Sequence, residues 1–270
     1  MLLKYWNRIL IVIASISFIA LAILTDFDKT GEVLINGSIK EAGIVFGVAK
    51  GLNAVISLAQ GTEVGLPGLT ISIGEILDPV NDLVERFSLV MLASIVSLGI
   101  QKILMNFVVG QGFNTLLILS IVLANIWLFA RFKNDTKARA LFFKTTAVLI
   151  FLRFSISLLS MTSHYVYIHY VQQDYNIEQS KEEVKKTSEQ IDEITKSRID
   201  NKSFFESILD KFNPEYYEKE ISKYREVAEK ASEQVVDLII AFIFKTIFFP
   251  LLFLFFLYKI IWNVFRWRDI

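Results

Sequence analysis

The chain has 270 residues, of which 53% are apolar, and its 28 basic residues balance its 28 acidic ones. This balance excludes the global positive field of a nucleic-acid binder, so we expect no nucleic-acid partner. The absence of Cys excludes disulfides and thiolate nucleophiles, and two His are too few for an ordinary zinc or haem site. We therefore expect no metal site and no cofactor.

The apolar residues are clumped into runs long enough to cross a bilayer. They predict an all-α polytopic membrane protein with five to six transmembrane helices. Residues 1–163 form the predicted membrane domain, residues 164–235 a charged hairpin, and residues 236–270 a final span with a basic and aromatic anchor. The spans of the membrane domain are expected at about 9–25, 42–60, 87–109, 113–130 and 145–163.

The first apolar run, Ile9 to Thr25, follows Lys4 and Arg8 and stops at Asp26. This charge order is typical of a helix whose N-terminus stays in the cytoplasm. A cleaved secretory signal is the alternative, because Ala20–Ala22 offers a small-residue cleavage site.

The second run, Ala42 to Gln60, is interrupted by Lys50, Asn53 and several Gly. It predicts either a weak crossing or an amphipathic helix at the membrane interface. Turn-forming residues between two short β-prone stretches then predict a small hairpin or an extended re-entrant loop near residues 61–75.

A charged cluster marks the start of the next helix. Asp78 is the expected N-cap and Pro79 the first helical residue, while Asp82 and Arg86 stand four apart and can pair. With Glu85, these charges could serve intramembrane cations or form a cation-attracting vestibule. Alternatively, the acids simply complement the helix dipole.

Residues 87–130 contain a single charge, Lys102, and one break at Gly110–Gly112, which predicts two helices joined as a hairpin.

The loop that follows is expected in the cytoplasm because short loops rich in Lys and Arg stay on that side of the membrane. Its basic residues are Arg131, Lys133, Lys137, Arg139 and Lys144. A cytoplasmic N-terminus then requires an even number of crossings before this loop, but the obvious spans number three. Residues 42–60 are favoured as the fourth crossing, which places the charged hairpin on the periplasmic or exterior side of the membrane; the alternative places it in the cytoplasm. Otherwise that segment lies at the interface and one of the cytoplasmic assignments fails.

Residues 164–235 are rich in Lys and Glu. Apolar and small residues recur there at spacings of three and four, from Tyr170 to Ile194 and from Tyr217 to Leu238. This pattern predicts an antiparallel helical hairpin of coiled-coil type outside the bilayer, with its turn near residues 203–214 and Pro214 opening the returning helix. Pro250 predicts a kink in the last span.

Three cations are the candidate functional residues: Lys102, Arg153 and Lys245. Each lies in an apolar span without an acid at comparable depth, and each costs a few kcal/mol at the bilayer centre unless it faces water, a partner or a pathway. Rings of Lys or Arg can select anions in oligomeric pores. Alternatively, the two lysines lie near the span ends and reach the lipid phosphates. No catalytic constellation accompanies them, so an enzyme is not expected.

One block is similar to a known family. Gly51–Ser57 (GLNAVIS), Gly61–Glu63 (GTE) and Ile76–Ser88 (ILDPVNDLVERFS) resemble the core of a family of uncharacterised bacterial multi-pass inner-membrane proteins. The resemblance covers about a quarter of the chain and implies a bacterial inner-membrane location. It implies no known activity and transfers no functional residue.

The leading functional expectation is an oligomeric channel or permeation protein, anion-preferring through the three cations. The alternative is a non-conducting membrane scaffold or sensor whose coiled-coil hairpin binds a protein partner. The expected partners are therefore the lipid bilayer, further copies of the chain and a protein bound through residues 164–235.

Overall fold

The computed structural model describes residues 2–61, 63–66, 69–129, 136–200 and 214–266. Its helices are α1 (Leu2–Ile23), α2 (Asp26–Gln60), α3 (Ile73–Val109), α4 (Gln111–Phe129), α5 (Thr136–Val166), α6 (Ile177–Asp200), α7 (Pro214–Ile243) and α8 (Phe249–Arg266). Two π-helical segments, Tyr167–Val171 and Phe244–Phe248, follow α5 and α7. Between α2 and α3, strands β1 (Glu63–Leu66) and β2 (Leu69–Ser72) pair antiparallel, with Glu63 opposite Ser72. The predicted all-α class is confirmed, and the strands lie within the predicted residues 61–75.

Within the described residues, four helical stretches are by length and composition able to cross a membrane, as expected for a membrane protein. They cover Asp26–Gln60, Gly74–Val109, Ala140–Val171 and Ile221–Asn263. Two further apolar helices, Arg8–Ile23 and Gln111–Trp127, are shorter. Because α2 has 35 residues and is about 52 Å long, it exceeds the roughly 30 Å hydrocarbon thickness of a bilayer.

The chain forms two compact units. The first unit contains Met1–Ile39, Ser97–Tyr165 and Phe248–Ile270, and the second contains Lys40–Val96 and Val166–Ile247. Several helices contribute residues to both units, so the units do not correspond to the three consecutive segments expected from the sequence.

In the first unit, α1 and the start of α2 run in the same direction as α5. The ring of Phe18 on α1 lies 6.0 Å from that of Phe154, and further along the chain the carbonyl of Gly31 accepts a hydrogen bond from Ser160. Residues later in α1 and α2 therefore contact residues later in α5, which means that these helices run parallel to α5. Only two residues separate α1 from α2, and the amide of Leu24 still bonds to the carbonyl four residues earlier. The chain thus continues from α1 into α2 without reversing.

Helices α3 and α4 likewise share one direction, opposite to α5. Met105 on α3 packs in a cluster with Ile156, and Ser120 on α4 lies 2.7 Å from the hydroxyl of Thr146. Further along α4, the Trp127 ring stacks on that of Phe142. Residues later in α3 and α4 thus contact residues earlier in α5, which means that both helices run antiparallel to α5. The predicted hairpin between residues 87–109 and 113–130 is therefore wrong.

The break at Gly110 interrupts the helix without turning it back. The amide of Asn114 donates to the carbonyl of Gly110 at 3.0 Å, which is the i to i−4 bond of a continuing α-helix. A Cβ on Gly110 would lie 3.1 Å from the carbonyl oxygen of Asn106, a tight contact that glycine avoids. The sequence pattern of a turn therefore marks a bend.

In the second unit, α6 and α7 pack antiparallel. The hydroxyls of Thr195 and Tyr224 lie 3.4 Å apart, whereas Glu183, earlier on α6, lies within electrostatic reach of Asp237, later on α7. The buried face of α6 consists of Ile177, Ser180, Val184, Thr187, Ile191 and Thr195, and that of α7 includes Tyr224, Ala228, Ala231, Val235 and Leu238. Helix α7 begins at the predicted Pro214, and the predicted turn near residues 203–214 lies largely outside the described residues.

The helical pattern predicted from Tyr170 to Ile194 starts earlier in the sequence than α6 does. Tyr170 is 71% exposed and belongs to the first π-helical segment, and Gln173 is also exposed. Residues 172–176 leave the helix, and α6 restarts at Ile177 with Asn176 as its cap: the Asn176 side-chain oxygen accepts from the amides of Glu178 and Gln179.

Candidate functional site: two buried ion pairs

Two of the three predicted cations are buried and form ion pairs with carboxylates. Arg153 is fully buried with Asp28 in the first unit, and the Lys245 side chain is 8% exposed beside Glu41 in the second. The expectation of unpaired cations is therefore wrong for both. Both acids lie outside the predicted spans, between the first span at 9–25 and the second at 42–60, so the sequence pattern does not pair them with the cations.

The Arg153 guanidinium contacts Asp28 in the two-pronged geometry that arginine forms with a carboxylate. Its Nη1 donates to Oδ1 at 2.9 Å and its Nη2 to Oδ2 at 2.6 Å. Nε donates to Asn114 Oδ1 at 2.5 Å, and Nη2 donates to the Ala22 carbonyl at 3.3 Å. These four bonds join α5 to the end of α1 and the first turns of α2 and α4.

The Asp28 carboxylate is also well satisfied. Ser157, one turn after Arg153 on α5, donates to its Oδ1 at 3.0 Å. Asp28 lies in the first turn of α2, where the helix dipole favours a negative charge. Because both charges are paired and hydrogen-bonded, burial of this pair is tolerated, whereas loss of one partner would leave an uncompensated charge. The arrangement is therefore a clamp between helices.

Beside this clamp lies a groove of about 480 Å³, to which Asp28 contributes but Arg153 does not. Its lining residues are Thr25, Asp28, Lys29, Glu32, Met105, Asn106, Val109 and Gly110. The guanidinium is fully covered, so it offers no donor to a solute in this groove.

Lys245 forms the second clamp. Its Nζ donates to Glu41 Oε2 at 2.6 Å and lies 4.7 Å from the centre of the Tyr167 ring. Both a carboxylate and an aromatic face are favourable partners for a desolvated ammonium. The neighbouring Thr246 donates to Ser94 on α3 at 2.8 Å, which ties the same segment to a further helix.

The two π-helical segments of the described chain meet at this clamp. Tyr167 opens the first and Lys245 belongs to the second. A π-helical turn widens the helix locally, and such turns are frequent at functional sites. The Tyr167 hydroxyl also accepts from the Ile177 amide at 3.2 Å, which connects the clamp to the start of α6.

Lys102 differs from the other two cations. It is half-buried on α3, and among the described residues it forms no ion pair. Of the three predicted cations, Lys102 is thus the one that this unit leaves without a carboxylate.

The predicted charged cluster at residues 78–86 is exposed and only loosely connected. Asp78 accepts a hydrogen bond from Gln60 at 2.8 Å. It does not cap the helix, because α3 begins at Ile73 directly after β2, and Pro79 lies inside α3. Asp82, Glu85 and Arg86 point outward, and the described side chains include no Asp82–Arg86 ion pair.

Neither a set of metal ligands nor similarity to a known protein identifies the function of this site. Among the described residues, no group of three or more His, Asp or Glu side chains could hold a metal ion. Comparison with protein-family models, with curated proteins and with solved structures finds no match. The resemblance of residues 51–88 to inner-membrane proteins stays a prediction.

Proposed function

We propose that the protein is a non-conducting scaffold of the bacterial inner membrane whose α6–α7 arm binds a protein partner. The observation that carries this proposal is that Arg153 and Lys245 both neutralise acids of the same chain. A cation that selects permeating anions must present its charge to the pathway. These two cations instead tie helices together.

The partner-binding role falls to the paired helices α6 and α7 for a physical reason. Their buried apolar residues face each other, and the outer faces of α6 and of the first part of α7 are rich in exposed Lys and Glu side chains. Between them lies a groove of about 240 Å³, lined by Gln190, Glu193, Ile194, Lys223, Glu226, Val227 and Lys230. We propose that this arm, up to Val235, is the coiled-coil hairpin expected from the sequence and lies outside the bilayer, and that the rest of α7 enters the final span.

The proposed topology follows from the directions of the helices. In the first unit the chain passes once along α1 and α2 and returns along α3 and α4, so the start of α1 and the start of α5 lie at the same end. Two passes satisfy the even number that a cytoplasmic N-terminus and a cytoplasmic basic loop require. No separate crossing by residues 42–60 is needed.

A second candidate is the oligomeric channel, which one observation still favours. Lys102 lies in an apolar helix and pairs with no carboxylate in the part of the chain that the structure describes, and symmetry-related copies would form a ring of positive charge. Under this candidate, Lys102 alone carries the anion preference.

Reconstitution into liposomes separates the two candidates. The scaffold proposal expects chloride and potassium fluxes equal to those of protein-free liposomes. Chloride flux that falls in Lys102→Gln but not in the exposed-surface control Lys185→Gln would support the channel and contradict the scaffold.

Partner binding by the α6–α7 arm is tested in cells with a photo-crosslinking amino acid at Glu193. One discrete adduct that is absent when the crosslinker occupies Trp6, on α1, supports partner binding, whereas no adduct contradicts it.

A further inference from the structure

The outward face of α2 in the second unit carries a row of glycines. Gly43, Gly47 and Gly51 follow one another at intervals of four, and a Cβ on any of them would meet no atom within 4 Å. Residues at this spacing share one side of a helix. Ala49 and Leu52, on the opposite side, are fully buried. The glycines therefore form a shallow, open groove along the helix, which we call the glycine groove.

The outward face of α3 has the complementary shape. Leu89, Leu92 and Val96 are 64%, 51% and 54% exposed and follow one another at spacings of three and four. The same line continues toward the start of α3 through Glu85 and Asp82, both exposed. This face, the leucine ridge, is therefore a row of large apolar side chains that ends in acids.

The glycine groove and the leucine ridge lie at the same height in the second unit. Adjacent residues of the second π-helical segment bond to Glu41 on α2 and to Ser94 on α3, so these two residues are level. At the other end of α2, Gln60 bonds to Asp78. The two helices thus run antiparallel, and counting residues from either contact places Lys50 of α2 close to the level of Glu85 of α3.

We propose that the leucine ridge of one copy docks into the glycine groove of a second copy. Small residues allow close approach of two helix backbones, and large side chains fill the space that the glycines leave. Lys50, exposed beside the groove, then meets Glu85 at the end of the ridge. The complementary charges select a second copy over a hydrocarbon chain, which could fill the groove but would offer Lys50 no carboxylate.

The two surfaces differ from each other, so the contact is heterologous. Repetition around an axis parallel to the helices keeps each groove level with the next ridge and closes into a ring. This assembly is independent of the scaffold proposal, since a scaffold and a channel can both be rings.

Cysteine crosslinking tests the contact directly, because the natural chain contains no Cys. Gly47→Cys in one tagged copy and Leu89→Cys in a differently tagged copy are co-expressed and oxidised in membranes, because counting from the same contacts places Gly47 close to the level of Leu89. We expect a disulfide-linked dimer that carries both tags. Gly37→Cys replaces Gly47→Cys in the control, since Gly37 is equally open on the same helix but lies off the groove. An absent mixed dimer, or an equal yield from the Gly37 control, overturns the proposal.

A second pair of variants tests the shape and the charge. Gly47→Leu fills the groove, and its Cβ would meet no atom of its own chain within 4 Å, so we expect loss of the oligomer in native mass spectrometry with the melting temperature of the subunit retained. Gly37→Leu should leave the oligomer intact. Lys50→Glu should reduce assembly by about tenfold or more, and adding Glu85→Lys should restore it. An unchanged oligomer in Gly47→Leu contradicts the docking.

Discussion

Gly31 on α2 lies against Ser157 on α5 so closely that a Cβ on Gly31 would be 3.0 Å from the Ser157 Cα. Ser157 is the residue that supports the Asp28 carboxylate, and Ser160 bonds to the Gly31 carbonyl. The clamp of the first unit therefore depends on a glycine that lets two helix backbones approach.

Gly31→Val should destabilise the protein by about 1–3 kcal/mol, because overpacking forces the two helices apart. Thermal unfolding in detergent, followed by circular dichroism, measures the effect. Gly37→Val is the matched control, since a Cβ there meets no atom within 4 Å. Equal melting temperatures for the two variants would show that the close approach is unimportant.

Arg153→Leu should cost about 3–5 kcal/mol of stability, since it leaves the buried Asp28 unpaired. The double variant Asp28→Leu with Arg153→Leu should recover most of the loss, because it removes both charges. Denaturant unfolding of the two single variants and the double variant gives the coupling energy. Additive losses in the double variant would argue against the clamp.

Arg153→Lys tests the geometry of the same contact. It keeps the positive charge but cannot make the two-pronged contact with Asp28 while also reaching Asn114. We expect a stability between those of the natural protein and Arg153→Leu in the same unfolding experiment. Natural stability in this variant would mean that charge alone suffices.

In the second unit, Tyr167→Phe should have a smaller effect than Tyr167→Leu. The Phe ring keeps its face toward Lys245 and loses only the hydroxyl that accepts from Ile177, whereas Leu loses the cation–π contact of about 0.5–2 kcal/mol as well. Unfolding midpoints of both variants, in the natural chain and in Lys245→Met, make the comparison. In the Lys245→Met background the difference between Phe and Leu should shrink; an unchanged difference would assign it to packing.

Reporter fusions test the topology. We expect fusions at the N-terminus and near Lys137 to report the same side of the membrane and a fusion near Asn201 to report the other. Enzymatic reporters active on only one side provide the measurement. Opposite sides for the N-terminus and Lys137 would contradict the two passes before α5.

The apolar runs, the hairpin between α2 and α3, and the packed faces of α6 and α7 could be predicted, because each depends on local periodicity or turn chemistry. The partners of Arg153 and Lys245 could not, because Asp28 is 125 residues from Arg153 and Glu41 is 204 residues from Lys245 along the chain. Gly110 shows a second limit. A glycine in the sequence is compatible with either a bend in a helix or a reversal of the chain. At Gly110 the chain bends because α3 and α4 both pack in the same direction along α5.

The second π-helical segment has a consequence for how the long last helix tolerates changes in length. Phe242, Thr246 and Pro250 are buried and lie four residues apart along the chain. Because a π-helical turn is wider than an α-helical turn, this spacing keeps the three side chains on one side of the helix. The wider turn also opens the helix ahead of Pro250, whose ring would otherwise collide with the Thr246 carbonyl. Because a π-turn holds one residue more than an α-turn, deletion of one residue here would leave the flanking helices in phase. The same deletion within α7 or α8 would rotate everything beyond it by about 100°.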